Sequence, residues 1–242
     1  MSSIIPYSTQ GKRLNLKQNA VNFPGLKLQL SCNEATGAMV LVDDITGLVI
    51  ADSTGAMTIT NNGDGTLTFG SAFDSISGGA LASPGTKKLI LVYIGKPSST
   101  GNVLVFGTTT ANGIRAFSTA AGVPLIASNS VVVNGTAGLV GDGVTLQGRV
   151  VVADWGNNLN SYDFDGTTYT VRAPAALAAT GITAIDNICT VGFQARPSLI
   201  QLWHFTTLPS AAEIKSMLTW TLGNLSASPY DKAAYPGWRG RV

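Results

Sequence analysis

Residues 198–224 carry the sequence SLIQLWHFTTLPSAAEIKSMLTWTLGN, and this stretch decides the fold. Its first part alternates as an extended chain does, so side chains two positions apart share a face. One face comprises Leu199, Gln201, Trp203 and Phe205, and the other comprises Ile200, Leu202 and His204. Because apolar side chains dominate both faces, the stretch predicts a strand that is buried on both sides.

A helix start follows this strand. Ser210 stands three residues before Glu213, the spacing at which each side chain can satisfy the backbone N–H of the other residue. The next positions at helical spacing form one apolar stripe, namely Ile214, Met217, Leu218, Thr221 and Leu222. Gly223 and Asn224 tolerate the left-handed conformation that ends a helix. We therefore expect one amphipathic helix, lying across the edge or mouth of a sheet system.

The rest of the chain alternates short apolar runs with turn residues. Two hairpins are predicted, at 59–69 around Asn62-Gly63-Asp64-Gly65 and at 160–171 around Asp165-Gly166, because Asn, Asp and Gly accept positive φ. Further strands are predicted at 26–30, 38–42, 48–51, 89–94, 103–107, 113–118, 131–133, 144–146, 149–154 and 188–193, with a turn at 155–158 and one helical turn at 174–179. The pattern predicts an all-β fold, an antiparallel two-sheet jelly-roll sandwich with one short C-terminal helix.

The chain of 242 residues divides into an extended N-terminal arm at 1–24, a β-sandwich at 25–224 and a C-terminal tail at 225–242. Residues 1–24 mix polar, Gly and Pro residues without a sustained period, as a chain terminus commonly does. The length fits one sandwich domain. We therefore expect a single folded domain whose arm can serve as a docking strap.

Charge limits the classes of partner. Only 12% of the residues are charged, against about 25% in typical chains, which favours permanent assembly and a homo-oligomer. The net charge is +2 and no basic stripe is present, which argues against nucleic acid as a partner. No apolar run resembles a secretion signal or a membrane helix, so we expect a product made in a cytoplasm that does not enter a membrane.

The two cysteines, Cys32 and Cys189, are too few for a disulfide scaffold. One disulfide between an early and a late strand fits the sequence, and so do two buried free thiols. The sequence does not decide between them.

Four segments of the C-terminal third follow one another in a known order: Asp165-Gly166, Val191-Gly192-Phe193, Ile200-Gln201-Leu202-Trp203 and Leu208-Pro209-Ser210-Ala211-Ala212-Glu213-Ile214. This order resembles the concanavalin A-like lectin/glucanase fold, including its laminin-G-like branch, over about residues 85–223. The resemblance implies a two-sheet jelly roll whose concave face binds sugars in many members. The charge-poor, Gly-, Thr-, Ser- and Ala-rich composition and the arm also resemble bacteriophage virion proteins.

Few side chains could carry catalysis. The glucanase branch needs a pair of carboxyl groups, but the chain has only Glu34, in an early turn, and Glu213, at the helix cap. Asp163 and Asp165 share a strand face, yet aspartates beside a turn are usually turn formers. The lone His204 lies in a buried strand, where we expect a packed histidine, and no Cys/His spacing indicates zinc. We predict no catalytic residue.

The sugar-binding expectation points to one turn. An exposed aromatic side chain can stack on a sugar ring while Asn or Asp bonds its hydroxyls, and Trp155 with Asn157 and Asn158 is the best such group. The alternative is a tryptophan that packs at the edge of the sandwich.

Calcium takes Asp and Asn oxygens, and two loops could supply them. The candidate ligands are Asn61, Asn62 and Asp64 in one loop and Asp154, Asn157 and Asn158 in the other. Turn chemistry explains both groups without a metal, so we predict no cofactor.

Three functions remain after these exclusions. The first is a non-enzymatic structural or interaction protein: a phage virion component, head decoration or tail or fibre-associated, that contacts other virion proteins through residues 1–24. The second is an adhesin that recognises a host-surface glycan through Trp155, Asn157 and Asn158. The third is a polysaccharide hydrolase or lyase of unfamiliar design.

Overall fold

The structure is a computed structural model of the chain. It describes residues 25–31, 41–42, 49–52, 59–64, 66–69, 74–77, 88–98, 104–109, 112–117, 119–128, 131–178, 189–191 and 196–215. The predicted arm and tail lie outside these residues, as do Cys32, Glu34 and the predicted helix positions from Met217 onward.

Strands joined by loops make up most of the described residues, with one four-residue helix at Thr119–Gly122 and helical residues at 211–215. The strands are β1 (Leu26–Ser31), β2 (Leu41–Val42), β3 (Val49–Asp52), β4 (Ile59–Asn61), β5 (Leu67–Phe69), β6 (Asp74–Ser77), β7 (Lys88–Gly95), β8 (Leu104–Thr109), β9 (Asn112–Arg115), β10 (Leu125–Ser128), β11 (Val131–Asn134), β12 (Gln147–Ala153), β13 (Asn158–Phe164), β14 (Tyr169–Val171), β15 (Ala175–Ala176), β16 (Cys189–Val191) and β17 (Pro197–Phe205).

Two sheets account for most of these strands. The first sheet has the order β1-β17-β7-β12-β13-β14, with β15 also paired to β13. The second has the order β11-β10-β9-β8-β16-β6-β3-β2, and β4 and β5 form a separate hairpin. The strand pairs are antiparallel. The predicted fold class, an all-β antiparallel two-sheet sandwich, is confirmed.

The predicted strand 199–205 becomes β17, which pairs with β7 at the centre of the first sheet. Its burial on both faces is confirmed, because residues 197–204 are all buried. One face carries a core cluster that includes Leu199, Trp203 and the β7 residues Ile90 and Val92. Burying one such aliphatic side chain contributes roughly 1.5–3 kcal/mol, so this central strand pair contributes much of the stability of the domain.

The helix start is confirmed in detail. The Ser210 backbone N–H donates to Glu213 Oε2 at 2.7 Å, and the Glu213 N–H donates to Ser210 Oγ at 3.3 Å. These bonds with Ser210 hold the pKa of Glu213 below its usual value. Ile214 is buried in the core cluster, and Lys215 Nζ lies 5.2 Å from the ring centre of Tyr169. The helical residues therefore lie against a face of the first sheet, close to β14.

The opposite face of the first sheet meets the segment that follows β9. The rings of Tyr93 and Phe117 contact each other edge to face, with their centres 5.3 Å apart. In the pairing of β7 with β12, Tyr93 stands beside Arg149. This face therefore carries an aromatic contact and a buried charge next to the second sheet.

Two of the local predictions are wrong. Residues 144–146 are not a strand, because Asp142 Oδ1 accepts the backbone N–H groups of Val144 and Thr145 and bends the chain there. Residues 174–179 do not start with a helical turn, because Ala175 and Ala176 form β15 against β13. Strands β6 and β10 were not predicted.

Both predicted hairpins are confirmed. Their turn glycines, Gly63 and Gly166, adopt positive φ, at 73° and 99°.

The sequence predicts a chain that does not enter a membrane, and the described residues can be searched for a helix that would span one. No helix there is long and apolar enough to cross a membrane.

Candidate functional site

The predicted sugar-binding turn connects β12 to β13. The Asn157 N–H donates to the Asp154 carbonyl at 3.0 Å, and Gly156 takes a φ of 81°, so the turn residues adopt the predicted tight loop. Lys88 Nζ donates to Asp154 Oδ1 and, at 3.3 Å, to the Trp155 carbonyl. The turn is thereby joined to the start of β7 through one lysine and one aspartate.

Trp155 and the two asparagines take different positions in this turn. The Trp155 side chain is only 8% exposed, so its ring is packed in the protein and does not present a face on which a sugar could stack. Asn157 is exposed and donates to Asp154 Oδ2 at 3.0 Å, and Asn158 donates to Asn157 Oδ1 at 2.9 Å. The turn brings all three predicted residues together, but its accessible groups are hydrogen-bonding ones.

Two of the three calcium candidates of the β4–β5 hairpin, Asn62 and Asp64, are engaged by other groups, and the side chain of the third, Asn61, lies outside the described part of the structure. Asn62 Nδ2 donates to the Thr66 hydroxyl at 3.0 Å, and the Asn62 amide both donates to the Thr68 hydroxyl and accepts from it. Asp64 Oδ1 accepts the Thr66 N–H at 3.1 Å and the Thr66 hydroxyl at 2.5 Å. The other carboxylate oxygen, Asp64 Oδ2, pairs with the cationic side chains of Lys96 and Arg196. This donor set does not fit calcium, because the carboxylate already faces positive charge.

Asp64, Lys96 and Arg196 form what we call the Asp64 cluster. Lys96 Nζ lies 3.0 Å and Arg196 Nη2 lies 2.8 Å from the same oxygen, Asp64 Oδ2. Arg196 Nη1 also donates to the Gly143 carbonyl at 2.9 Å. The three side chains are 23–30% exposed. The cluster joins the hairpin tip, the end of β7, the start of β17 and the loop before β12 at the end of the sandwich opposite Trp155.

Arg149, Asp163 and Arg172 form a second group, the Asp163 cluster. Arg149 Nε and Nη2 donate to the two Asp163 oxygens at 2.5 and 3.1 Å, and Arg172 Nε donates to Asp163 Oδ2 at 2.6 Å. The Leu139 N–H donates to the same oxygen at 3.1 Å. The side chains of Arg149 and Asp163 are 0% and 2% exposed. Arg149 and Asp163 therefore form a buried ion pair in the face of the first sheet that meets the second, whereas the side chain of Arg172 is 28% exposed.

The remaining donors of Arg149 fix three neighbouring segments. Nη1 donates to the carbonyls of Ala116 and Gly122, and Nη2 donates to that of Leu139. The guanidinium carbon lies 4.2 Å from the centre of the Phe117 ring. Every N–H of the guanidinium is therefore used, as a buried arginine requires.

Asp163 was interpreted as a turn former, and the structure corrects that interpretation. Burial tends to raise the pKa of Asp163, but the hydrogen bonds and charge of Arg149, aided by Arg172 and the Leu139 N–H, outweigh burial and lower it. Asp165 does form the turn, accepting the N–H groups of Thr167 and Thr168. The two aspartates have separate tasks and do not act as a catalytic pair.

The other catalytic candidates can be located as well. His204 is buried, at 7% exposure, and pairs with Leu89 in the sheet register. Glu213 serves as the helix cap. Among the described residues, no group of three or more His, Cys, Asp or Glu side chains could hold a metal ion.

Sequence reasoning missed both charged clusters. The signal for one of them was present, because Arg149 interrupts the apolar run that forms β12, and a charged residue in a buried strand requires a partner. The signal for the Asp64 cluster was absent, since Asp64 and Arg196 are 132 positions apart.

Comparisons with known proteins extend this description. No protein-family model matches the chain, and no curated protein matches it in sequence. The structure is similar to the binding domain of Paraclostridial Mosquitocidal Protein 1, with 12% identity, a TM-score of 0.52, and coverage of 82% of this chain and 52% of that one. It is also similar to the binding domain of botulinum neurotoxin serotype G, with 13% identity, a TM-score of 0.51, and coverage of 82% and 51%.

These similarities define the fold that the chain shares with other proteins. The chain spans about half the length of the binding domains it matches. At 12–13% identity the likeness concerns the β-rich sandwich alone.

Proposed function

We propose that this chain is a non-enzymatic interaction protein and that its ligand is a glycan on a host surface. The observation that supports the proposal most is the shape of its sandwich, which it shares over 82% of its length with domains described as binding domains. The resemblance of its C-terminal third to the concanavalin A-like lectin fold points to sugars as the ligand class.

The side-chain chemistry agrees with a binding role. The described carboxylates discussed above serve a cap, turns or ion pairs. A fold whose acidic groups are engaged in structural contacts can recognise a ligand through hydrogen bonds and shape complementarity.

The turn at Trp155 is the proposed sugar contact, with Asn157 and Asn158 bonding hydroxyl groups and Trp155 buried in the protein. Because Trp155 is buried, replacing it would disturb the fold and would not test the site cleanly. Asn157 is exposed and is the better target.

A glycan array probed with the purified full chain tests this proposal. We expect at least one specific hit, which Asn157→Ala weakens and Thr167→Ala does not, since Thr167 is also exposed but lies in the turn at the opposite end of β13. A chain that binds no glycan at any concentration up to the millimolar range would overturn the proposed ligand class.

We further propose that the protein is a bacteriophage virion component, a head decoration or a tail or fibre-associated protein, with residues 1–24 as the attachment arm and a homo-oligomeric state. Support comes from the composition, in which only 12% of residues are charged, a level that suits a permanently assembled subunit. Immunolabelling of purified particles tests it: deletion of residues 1–24 should remove the label while the remaining chain still folds. Absence of the full chain from purified particles would reject the proposal.

A further inference from the structure

We infer that the Asp64 cluster is a second ligand site and that it binds the carboxylate of an acidic sugar. The inference rests on the proposed glycan-binding function for its ligand class, but not on the turn at Trp155. The two places lie at opposite ends of β7, whose eight residues separate them by about 25 Å.

The first argument is the charge of the cluster. Lys96 and Arg196 carry two positive charges, and Asp64 supplies one negative charge, so the group retains a charge of +1. At the other end of β7, Lys88 pairs with Asp154 one to one. Asp142, the nearest acidic residue of the loop that contacts Arg196, turns its carboxylate toward Val144 and Thr145. The Asp64 end therefore keeps a cation that no described carboxylate neutralises.

The second argument is that these cations are held in place before any ligand arrives. Arg196 is fixed by Asp64 on one nitrogen and by the Gly143 carbonyl on another. The Lys96 N–H and the Arg196 carbonyl bond at 3.0 Å, which keeps the two residues side by side. Fixed donors lose little conformational freedom when a ligand binds, which favours binding.

The third argument is backbone strain. Arg196 has a φ of 42°, and it is the one non-glycine residue with positive φ in the described part of the chain. Such conformations are costly and are concentrated at functional sites. Here the strain places an arginine, the side chain best suited to carboxylates, beside Lys96.

The fourth argument is access. The side chains of Lys96 and Arg196 are 23% and 30% exposed, so a ligand can reach them from solvent. The neighbouring hairpin surface is polar and includes the exposed Thr60 and the half-exposed Asn62. A carboxylate on an otherwise uncharged, hydroxyl-rich molecule fits these surroundings better than a highly charged polyanion does, because only one net positive charge is present.

Binding of matched oligosaccharides tests the inference. Titration calorimetry with the full chain compares an oligosaccharide that contains a uronic or sialic acid with the same oligosaccharide after reduction of the carboxyl group to an alcohol, and with a sulfated counterpart. We expect the carboxylate form to bind at least about tenfold more tightly than the reduced form, as loss of a charge-assisted hydrogen bond implies. Added salt should narrow that difference.

The variants locate the site. Arg196→Gln and Lys96→Gln should each remove most of the preference for the carboxylate form. Lys215→Gln is the control, because Lys215 is an exposed cation that lies against Tyr169 and belongs neither to the Asp64 cluster nor to the turn at Trp155. Lys96→Gln keeps the test decisive if Arg196→Gln does not fold.

Each outcome decides between the proposals. Binding of neutral glycans alone, or a preference for sulfate, overturns the carboxylate site and leaves the proposed glycan-binding function standing. A carboxylate preference that survives both variants places the site elsewhere and overturns the inference. A chain that binds none of the sugars overturns the proposed function and the inference together.

Discussion

Asp163 and Asp64 each receive two cationic side chains, but they do so in opposite surroundings. In the Asp163 cluster Arg149 and Asp163 are 0% and 2% exposed and only Arg172, at 28%, reaches solvent, whereas every member of the Asp64 cluster is 23–30% exposed. In the interior every donor must find a protein acceptor, and the donors of Arg149 do so. At the surface, water can replace a missing partner. The same residue types thus lock the fold in one place and remain available to a ligand in the other.

The difference also explains which loops each cluster controls. Arg149 holds the carbonyls of Ala116, Gly122 and Leu139, so three segments depend on one buried side chain. The Asp64 cluster contacts the hairpin tip and the loop at Gly143 from outside. We therefore expect damage to the first cluster to destabilise the sandwich strongly and damage to the second to leave its stability almost unchanged.

The largest effect is expected for Asp163→Ala, which leaves Arg149 buried without a counter-charge. The free energy of unfolding should fall by about 3–5 kcal/mol, as measured for buried ion pairs that lose one partner. Urea unfolding followed by circular dichroism measures it. The double variant Arg149→Met with Asp163→Leu should be less harmful than Asp163→Ala alone, because no buried charge remains. A loss below about 1 kcal/mol in Asp163→Ala would contradict the structural role of this cluster.

The second-largest effect is expected for acidification, which protonates Asp163 and weakens its cluster. The pKa of Asp163 is lowered in the folded protein, so its ionised form contributes stability that is fully present above the unfolded pKa of about 3.9 and is lost as the pH falls through the folded pKa. The loss should be smaller than in Asp163→Ala, since a protonated carboxyl still accepts hydrogen bonds. Urea unfolding between pH 7 and pH 2.5 measures it. Asp163→Asn should remove this part of the pH dependence, and an unchanged slope would contradict the assignment.

Gly138→Ala should disturb the same cluster from the loop side. An added Cβ at Gly138 would lie 2.5 Å from Asp163 Oδ2 and 2.7 Å from Arg172 Nε, so the ion cluster must shift. We expect a loss of about 1–3 kcal/mol, typical of overpacking. Gly63→Ala, beside Asp64, is the control: its Cβ meets nothing within 4 Å, and it should cost about 1 kcal/mol through its positive φ alone.

A double-mutant cycle tests whether the stability loss in Gly138→Ala comes from the Asp163 cluster. Gly138→Ala should be non-additive with Asp163→Asn, because both act on one cluster, whereas Gly63→Ala should add to it. Additivity in both cycles would mean that the Gly138 loop is independent of the buried ions.

The sequence predicted the local features of this fold and missed the distant ones. The alternation at 199–205, the Ser210–Glu213 cap and the two hairpin turns all depend on residues within a few positions of one another, and all four are present. Strand β6 was missed because its sequence, DSIS, has little strand preference of its own and is held by pairing with β3 and β16.

The candidate sites divide in the same way. The turn at Trp155 was predicted because its residues are consecutive, but the burial of the ring depends on packing that no local pattern encodes. Asp163 meets Arg149 only because the register of β12 and β13 sets them opposite each other. Asp64 meets Lys96 and Arg196 only after the hairpin folds against the end of the sandwich.

The smallest stability effect is expected for Asp64→Asn, and it makes the comparison sharpest. Because the Asp64 cluster is partly exposed, its two ion pairs should contribute about 0–1 kcal/mol, and less in high salt. Urea unfolding of Asp64→Asn in low and high salt, beside Asp163→Asn under the same conditions, measures both clusters with one chemical change. We expect the Asp64 variant to lose at most about 1 kcal/mol, and only in low salt, whereas the Asp163 variant loses more and at every salt concentration. Equal losses in the two variants would mean that burial does not separate the roles of these clusters, and the Asp64 cluster would then be a second structural lock, leaving its cations no freedom to serve a ligand.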